Sequence, residues 1–401
     1  MKKVIVWFLL LSLLTCCLSG CGSDVEIQSA SEPTEISAEE VTEETTLPPV
    51  PPYQVAMITD YFDIDDMSFN QTTYEAGRDW CAENNIPYTY YKPMEDSLEA
   101  RVASIEQAIR EGANVLLLPG YMFGGAIAET AEKYPEVYYI ALDLTEWDLS
   151  DTGEYVCPKN VFVANYREEV AGFLAGYAVV KMGYRDLAFV GSISVPAVIR
   201  YGYGFVQGTD YAAGELGVQA SVKYGYGFQC FCDAGIRGMQ EHVDKWFRDG
   251  TEALCFCGGG IYSYMEDIDR PYELKIIGVD MDQKELLDDL YGAGTALTSA
   301  MKNYSATVSW ALSKLILEDD WDSLGGTMPT LGLVSGTDLE KNHVALPDST
   351  QWNDSFTKED YAAIVNAIYT GALTVDDTIE REPATKHITV DYLGNLHPTD
   401  E

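Results

Sequence analysis

The chain has 401 residues, 64 acidic against 25 basic side chains for a formal charge of −39, and 47% hydrophobic residues. So acidic a surface excludes a nucleic-acid partner, which demands basic patches, and is repelled by anionic lipid headgroups. Beyond the N-terminal segments about 350 residues remain, too many for one small core and enough for two lobes.

Lys2 and Lys3 precede an apolar run from Val4 to Leu14, followed by Leu18-Ser19-Gly20-Cys21. A basic end, a short apolar core and small residues before a cut site read as a signal peptide over residues 1–20. The run is shorter than the about 20 residues a membrane span needs. Leu-Ser-Gly-Cys resembles a bacterial lipobox, which implies lipidation of Cys21 and a protein held to the cell membrane, outside the cytoplasm, by acyl chains. From Gly22 to Pro52 the chain carries eight acidic residues, no Lys or Arg, and a proline cluster at its end. Residues 21–52 are therefore expected to be a lipidated, disordered tether, stiffened by its prolines.

From Val55 short apolar runs alternate with longer amphipathic ones. Strands are predicted at Val55–Ile58, Tyr88–Tyr90, Val115–Leu118 and Val137–Leu142, with helices at Ser68–Asn84, Ser97–Gly112 and Gly125–Lys133. After a connection, a helix over Arg167–Met182 leads to a second set. It comprises strands at Leu187–Val190, Gln219–Tyr224, Ala253–Phe256 and Lys275–Val279, with helices at Tyr203–Leu216 and Gly235–Asp249. Apolar strands alternating with helices imply parallel sheets covered on both faces. Two sets in series give two doubly wound α/β lobes with a cleft at the carboxyl ends of the strands. A further helix is expected over Lys358–Gly371, with a polar tail wrapping the outside.

Six cysteines remain beyond Cys21: Cys81, Cys157, Cys230, Cys232, Cys255 and Cys257. Their Cys-x-Cys spacing is not that of a zinc knuckle, and the four histidines are scattered. Cys255 and Cys257 alternate in an apolar strand, face one side and read as structural thiols, with a disulfide as the alternative. No metal and no cofactor is expected.

The strand ends carry the candidate site. Thr59-Asp60, Pro119-Gly120, Asp143, Gly191-Ser192, Gly258-Gly259-Gly260 and Gly278-Val279-Asp280 all fall where a cleft would lie. A single Asp there is usually a turn or cap residue; three at equivalent ends weaken that reading. The acidic run Asp60 to Asp66 lacks calcium-loop spacing. A phosphotransferase, with an Asp nucleophile after the first strand, lacks a convincing lysine and magnesium-ligand set. No nucleophile elbow, phosphate loop or dinucleotide fingerprint occurs either. Asp63, Asp65 and Asp66 are read as caps of the following helix or as rim residues.

Thr59-Asp60 and Ile64-Asp65-Asp66-x-Ser68-Phe69-Asn70-Gln71 open an ordered series. It continues with Tyr134-Pro135-Glu136 leading to Asp143, Ala171-Gly172-Phe173-Leu174-Ala175-Gly176, and Arg200-Tyr201-x-x-Gly204-Phe205-x-x-Gly208. Ile277-Gly278-Val279-Asp280-x-Asp282-Gln283 and Thr298-Ser299-x-x-Lys302-Asn303 complete it. The series resembles that of the basic-membrane-protein family, PnrA-like bacterial lipoproteins that bind purine nucleosides for ABC importers. It spans Val55 to Pro347.

The resemblance implies a type I periplasmic-binding-protein fold. Lobe one is expected over residues 53–160 plus 297–325, lobe two over 161–296 plus 326–347, and a C-terminal extension over 348–401. Crossings between lobes are expected near residues 145–165, 290–298 and 325–333. The resemblance further implies that Phe69 stacks on one face of a purine, and Tyr201, where the family usually has Phe, on the other. Tyr201 keeps the ring but brings a hydroxyl that needs a partner. Asp60 and Asn70 match residues at the base edge, and an acceptor-only carboxylate suits a ring N–H or exocyclic amine. Asp143, Asp280 and Lys302 match ribose contacts, with Gly258, Gly259 and Gly260 letting backbone approach the sugar.

The implied function is capture of guanosine, inosine or adenosine and delivery to an ABC permease driven by its ATPase subunits, by a monomer that performs no covalent chemistry. Alternatives are a receptor for a sugar or another small metabolite on the same fold, and a ligand-sensing lipoprotein without transport. A nucleoside hydrolase would normally need metal-activated water held by clustered carboxylates.

Overall fold

The computed structural model describes residues 52–66, 68–150, 152–228, 233–266 and 268–399. The signal peptide, Cys21, the tether to residue 51, and Cys230 and Cys232 lie outside the described residues.

The first sheet is built from β1 (Val55–Ile58), β2 (Tyr88–Tyr91), β3 (Val115–Pro119), β4 (Tyr138–Leu142) and β5 (Val161–Tyr166). Their connecting helices are α1 (Phe69–Glu83), α2 (Leu98–Arg110), α3 (Gly124–Thr130) and the one-turn α4 (Glu146–Leu149). The chain then enters α5 (Glu168–Met182), β6 (Asp186–Gly191), α6 (Pro196–Leu216), β7 (Ala220–Tyr226), α7 (Asp233–Arg248) and β8 (Ala253–Cys257). β9 (Ile276–Asp280), α8 (Lys284–Tyr291) and β10 (Ala296–Lys302) complete most of the second sheet. After α9 (Tyr304–Leu312) come β11 (Thr330–Leu331), β12 (Val344–Ala345), α10 (Lys358–Tyr369) and β13 (Ile388–Asn395).

Strand order is β11-β5-β4-β3-β1-β2 in one sheet and β12-β10-β9-β8-β6-β7-β13 in the other. Every pairing is parallel except β10 with β12. β1, β3 and β8 are buried along their whole length, as expected of strands covered on both faces. α5 is apolar on all sides, and its residues from Glu168 to Val180 are buried, so it forms the central rod of the second lobe.

Strand pairing corrects the expected lobe boundaries. β5, assigned from residue 161 to lobe two, pairs with β4 in the first sheet. β10, assigned to lobe one, pairs with β9 in the second. β11, assigned to lobe two, pairs with β5 in the first. The reason is that β4 and β5 are joined through a four-residue helix, so the alternation of strands with long helices fails there. The chain therefore crosses between Tyr166 and Glu168 and between Lys302 and Tyr304, both later than expected, and between Leu331 and Val344, an interval that begins within the expected one. These crossings lie side by side: Arg167 N–H donates to Leu331 at 2.8 Å, His343 N–H to Gly332 at 2.9 Å, and Asn303 N–H to His343 at 2.8 Å.

The C-terminal extension contains the expected helix, α10, and also β13, which lies parallel to β7 as an edge strand. Cys81, Cys157, Cys255 and Cys257 are free. Cys255 and Cys257 point into the same core, where burial pushes both thiols up, away from the reactive thiolate.

His343, on the third crossing, is buried, pairs through Nδ1 with Thr307 Oγ1 at 2.9 Å, and has its pKa pushed by burial down to about 4. The folded chain thus refuses a proton that the unfolded chain takes up below about pH 6.5. This contribution to stability is present above that pH and is lost as pH falls toward 4. Between pH 7.5 and 5 the wild-type protein is expected to lose about 2 kcal/mol more than His343→Gln. Urea midpoints at the two pH values check this; equal losses in the two proteins would refute it.

Candidate functional site

Two strands, one from each lobe, lead into an aspartate with left-handed backbone: Asp143 after β4 (φ +64°) and Asp280 at the end of β9 (φ +66°). That conformation is uncommon for a residue with a Cβ, and strained backbone clusters at functional sites. Between the two carboxylates sits the ammonium of Lys302, at the end of β10. Its Nζ donates to both oxygens of Asp143 at 2.8 Å and lies 3.5 Å from Asp280 Oδ1 and 3.5 Å from Glu168 Oε1. Burial works against that charge, but the carboxylates, Asp143 and Asp280 foremost, hold its pKa well above the lysine range. Lys302 is 3% exposed, against 28% for Asp143 and 24% for Asp280, so the carboxylates offer the accessible oxygens and the ammonium stands behind them. The Tyr201 hydroxyl donates to Asp280 Oδ1 at 3.1 Å, and its ring lies 5.6 Å from the ammonium.

Lys302 and Asp143 come from opposite lobes, so their ion pair spans the cleft. A second contact, between Thr72 Oγ1 and Met281 Sδ at 3.9 Å, does the same.

The predicted base-edge pair is locked to itself. Asp60 Oδ1 accepts from the Tyr61 and Phe62 N–H groups and from Asn70 Nδ2, while Asp60 N–H donates to Asn70 Oδ1 at 3.2 Å. Asp60 is 1% and Asn70 0% exposed, so neither presents a free edge to the cleft. Asp66 caps α1, accepting from the Ser68 and Gln71 N–H groups and from Asn70 Nδ2, and Asp63 pairs with Lys92. Phe69 is half-buried beside Gly120. The expected sandwich of Phe69 and Tyr201 is not assembled: a ring face awaiting a base would carry accessible area, and Tyr201 is 3% exposed. Its hydroxyl partner is Asp280. Gly258 has φ +144° and lies against Ser192, whereas Gly259 and Gly260 face open space.

Two charged residues that sequence reasoning passed over stand behind the cluster. Glu168 accepts from Arg200 Nε at 2.6 Å, and next to it Glu169 pairs with Arg167 at 2.6 Å. The available signal was two adjacent carboxylates opening a helix that is otherwise apolar. Arg167, Glu169 and Arg200 also line a polar cavity of about 290 Å³ with Asn165, Thr330 and Asp377. A larger groove of about 1280 Å³, lined by Trp310, His343 and Trp352, contains none of the predicted site residues.

Residues 53–337 match the family model described as ABC transporter substrate-binding protein PnrA-like. The chain is 26% identical over 160 residues to the ABC transporter nucleoside-binding protein BmpA of Lactococcus lactis subsp. cremoris, covering 39% of this chain and 42% of that protein. Against basic membrane protein B of Borreliella burgdorferi it is 26% identical over 164 residues, covering 40% and 46%. The chain thus spans under half the length of these curated relatives. In structure it resembles an ABC transporter solute-binding protein from Conexibacter woesei, with a TM-score of 0.60 at 18% identity over 81% of this chain and 99% of that one. It also resembles a transcriptional activator of the comK gene from Bacillus halodurans, with a TM-score of 0.59 at 13% identity over 80% and 100%. At such identities the likeness concerns fold alone.

Proposed function

The chain belongs to the PnrA-like family of ABC transporter substrate-binding proteins, and from that premise we propose that it captures a purine nucleoside between its lobes and delivers it to an ABC importer. The observation that carries this reading is the Asp143–Lys302–Asp280 cluster. Two partly open carboxylates accept from vicinal hydroxyls, and the ammonium between them donates to the same hydroxyls, which is what a ribose offers. Because the carboxylates come from opposite lobes, a bound sugar would stabilise closure by differential affinity. Base binding is assigned to Phe69, and opening of the cleft would be needed to free Asp60 and Asn70 for the base edge. The tether and a lipid on Cys21 would hold the protein at the outer face of the membrane. A receptor for a free sugar is the second reading, favoured by the burial of Tyr201, Asp60 and Asn70.

Calorimetric titration of residues 53–401 with inosine, guanosine, adenosine, cytidine and ribose separates the two. Purine nucleosides are expected to bind far more tightly than ribose. Phe69→Ala is expected to weaken purine binding by about 1–3 kcal/mol, the usual worth of base stacking on an aromatic ring, and to leave ribose untouched. Heat with ribose alone would replace the nucleoside reading by the sugar one.

A further inference from the structure

We propose that Glu168 is a positioning residue for the ligand: it never touches the nucleoside, but keeps the Lys302 ammonium aimed into the cleft while the lobes are apart. The proposal rests on the nucleoside reading above.

In the structure Lys302 has three carboxylate partners, and they divide by lobe. Asp143 follows a strand of the first sheet, whereas Glu168 on α5 and Asp280 on β9 belong with Lys302 to the second lobe. When the cleft opens, Asp143 withdraws and takes the 2.8 Å contacts with it. Glu168 and Asp280, each at 3.5 Å, are what remains. Of these two, Asp280 is partly open and shared with the Tyr201 hydroxyl, while Glu168 has a side-chain exposure of only 2%.

A buried carboxylate without compensation is strongly destabilising, and Glu168 is compensated by two cations. Arg200 Nε takes Oε2 at 2.6 Å, and Lys302 faces Oε1. Its place in the first turn of α5 adds the favourable end of the helix dipole. Arg200 thereby fixes the carboxylate, and the carboxylate fixes the ammonium. Removing the charge of Glu168 halves the anionic support left to Lys302 in the open state, and an ammonium held on one side only is free to turn away from the cleft.

The test compares inosine with 2′,3′-dideoxyinosine, which keeps the base but lacks the hydroxyls Lys302 would meet, by calorimetry on the purified protein. Glu168→Gln is expected to weaken inosine at least tenfold and to leave dideoxyinosine unchanged. On a Lys302→Met background the same substitution is expected to add nothing, since the group it positions is gone. A loss shared equally by both ligands, or additive with Lys302→Met, would mark Glu168 as merely structural, and full inosine affinity in Glu168→Gln would overturn the proposal directly. If Glu168→Gln fails to fold, Glu168→Asp, which keeps the charge but draws it back by one methylene, is read by the same comparison. Silence of the wild-type protein toward inosine would remove the nucleoside reading, and this inference with it.

Discussion

Lys302→Met is expected to weaken purine-nucleoside binding by roughly 100-fold, about 3 kcal/mol, and to lower the stability of the ligand-free protein as well. The ammonium lies between Asp143 and Asp280, and it also faces Glu168. With a methionine there, three carboxylates converge without the cation they share, and like charges at such range oppose closure instead of holding it. Loss of a buried ion partner costs about 3–5 kcal/mol where the remaining charge stays desolvated. Here the cleft relieves part of that by opening, so the loss is divided between stability and affinity. Adding Asp143→Asn to Lys302→Met should restore stability, by removing one of the stranded charges, without restoring affinity. Calorimetry and urea unfolding on the single and double variants read the two quantities separately. Affinity within threefold of wild type in Lys302→Met would take the ammonium out of the binding site altogether.

Much of this arrangement was legible in the chain. Runs such as Val55–Ile58 and Tyr139–Leu142 have no charged residue, so they announce buried strands, and the aspartates placed after them, Asp60 and Asp143, fall at the mouth of the sheet whatever the rest of the fold does. What escaped is where local pattern and tertiary placement part company. β5 is as apolar as its neighbours, but only one helical turn separates it from β4, so the strand–helix alternation hides it. β11 and β12 are two residues long each, and no period can be read from two residues. β13 lies in a polar tail with much of its length exposed; what makes it a strand is the free edge of β7.

The site shows the same division. Asp143, Asp280 and Lys302 are brought together as the series of motifs suggested, because each ends a strand of a parallel sheet. The resemblance makes Tyr201 a stacking ring, but it lies within α6, where helix geometry turns it into the core and its hydroxyl reaches Asp280. Asp60 and Asn70 are the right chemical types for a base edge, yet each is also the nearest partner of the other, and the folded chain satisfies that local pairing first. Glu168 was invisible for a different reason: acidic residues in the first turn of a helix are ordinarily explained by the helix dipole, and nothing local distinguishes one that reaches a lysine 134 positions later in sequence.

Gly204→Ala is expected to destabilise the protein by about 3 kcal/mol, although glycine-to-alanine in a helix interior ordinarily stabilises by about 1 kcal/mol. α5 and α6 cross with their backbones in contact. A Cβ on Gly204 would lie 2.1 Å from the Glu169 carbonyl oxygen, and one on Gly172 of the facing helix 2.1 Å from the Tyr201 carbonyl oxygen. Gly176 and Gly208 repeat the relation one turn further on, at 2.2 and 2.0 Å from Phe205 and Phe173 carbonyl oxygens. The obstacle in every case is backbone, which cannot swing aside as a side chain would, so the helices must separate. Separation also reaches the site, because the first turn of α5 carries Glu168 and α6 carries Arg200 and Tyr201. Nucleoside affinity should therefore fall in Gly204→Ala even though the residue is remote from the ligand. Gly259→Ala, whose added methyl meets nothing within 4 Å, is the stability control and should unfold at the wild-type urea concentration. If Gly204→Ala proved as stable as wild type, the two helices would have slack to give, and the close crossing could not be what holds Arg200 against Glu168.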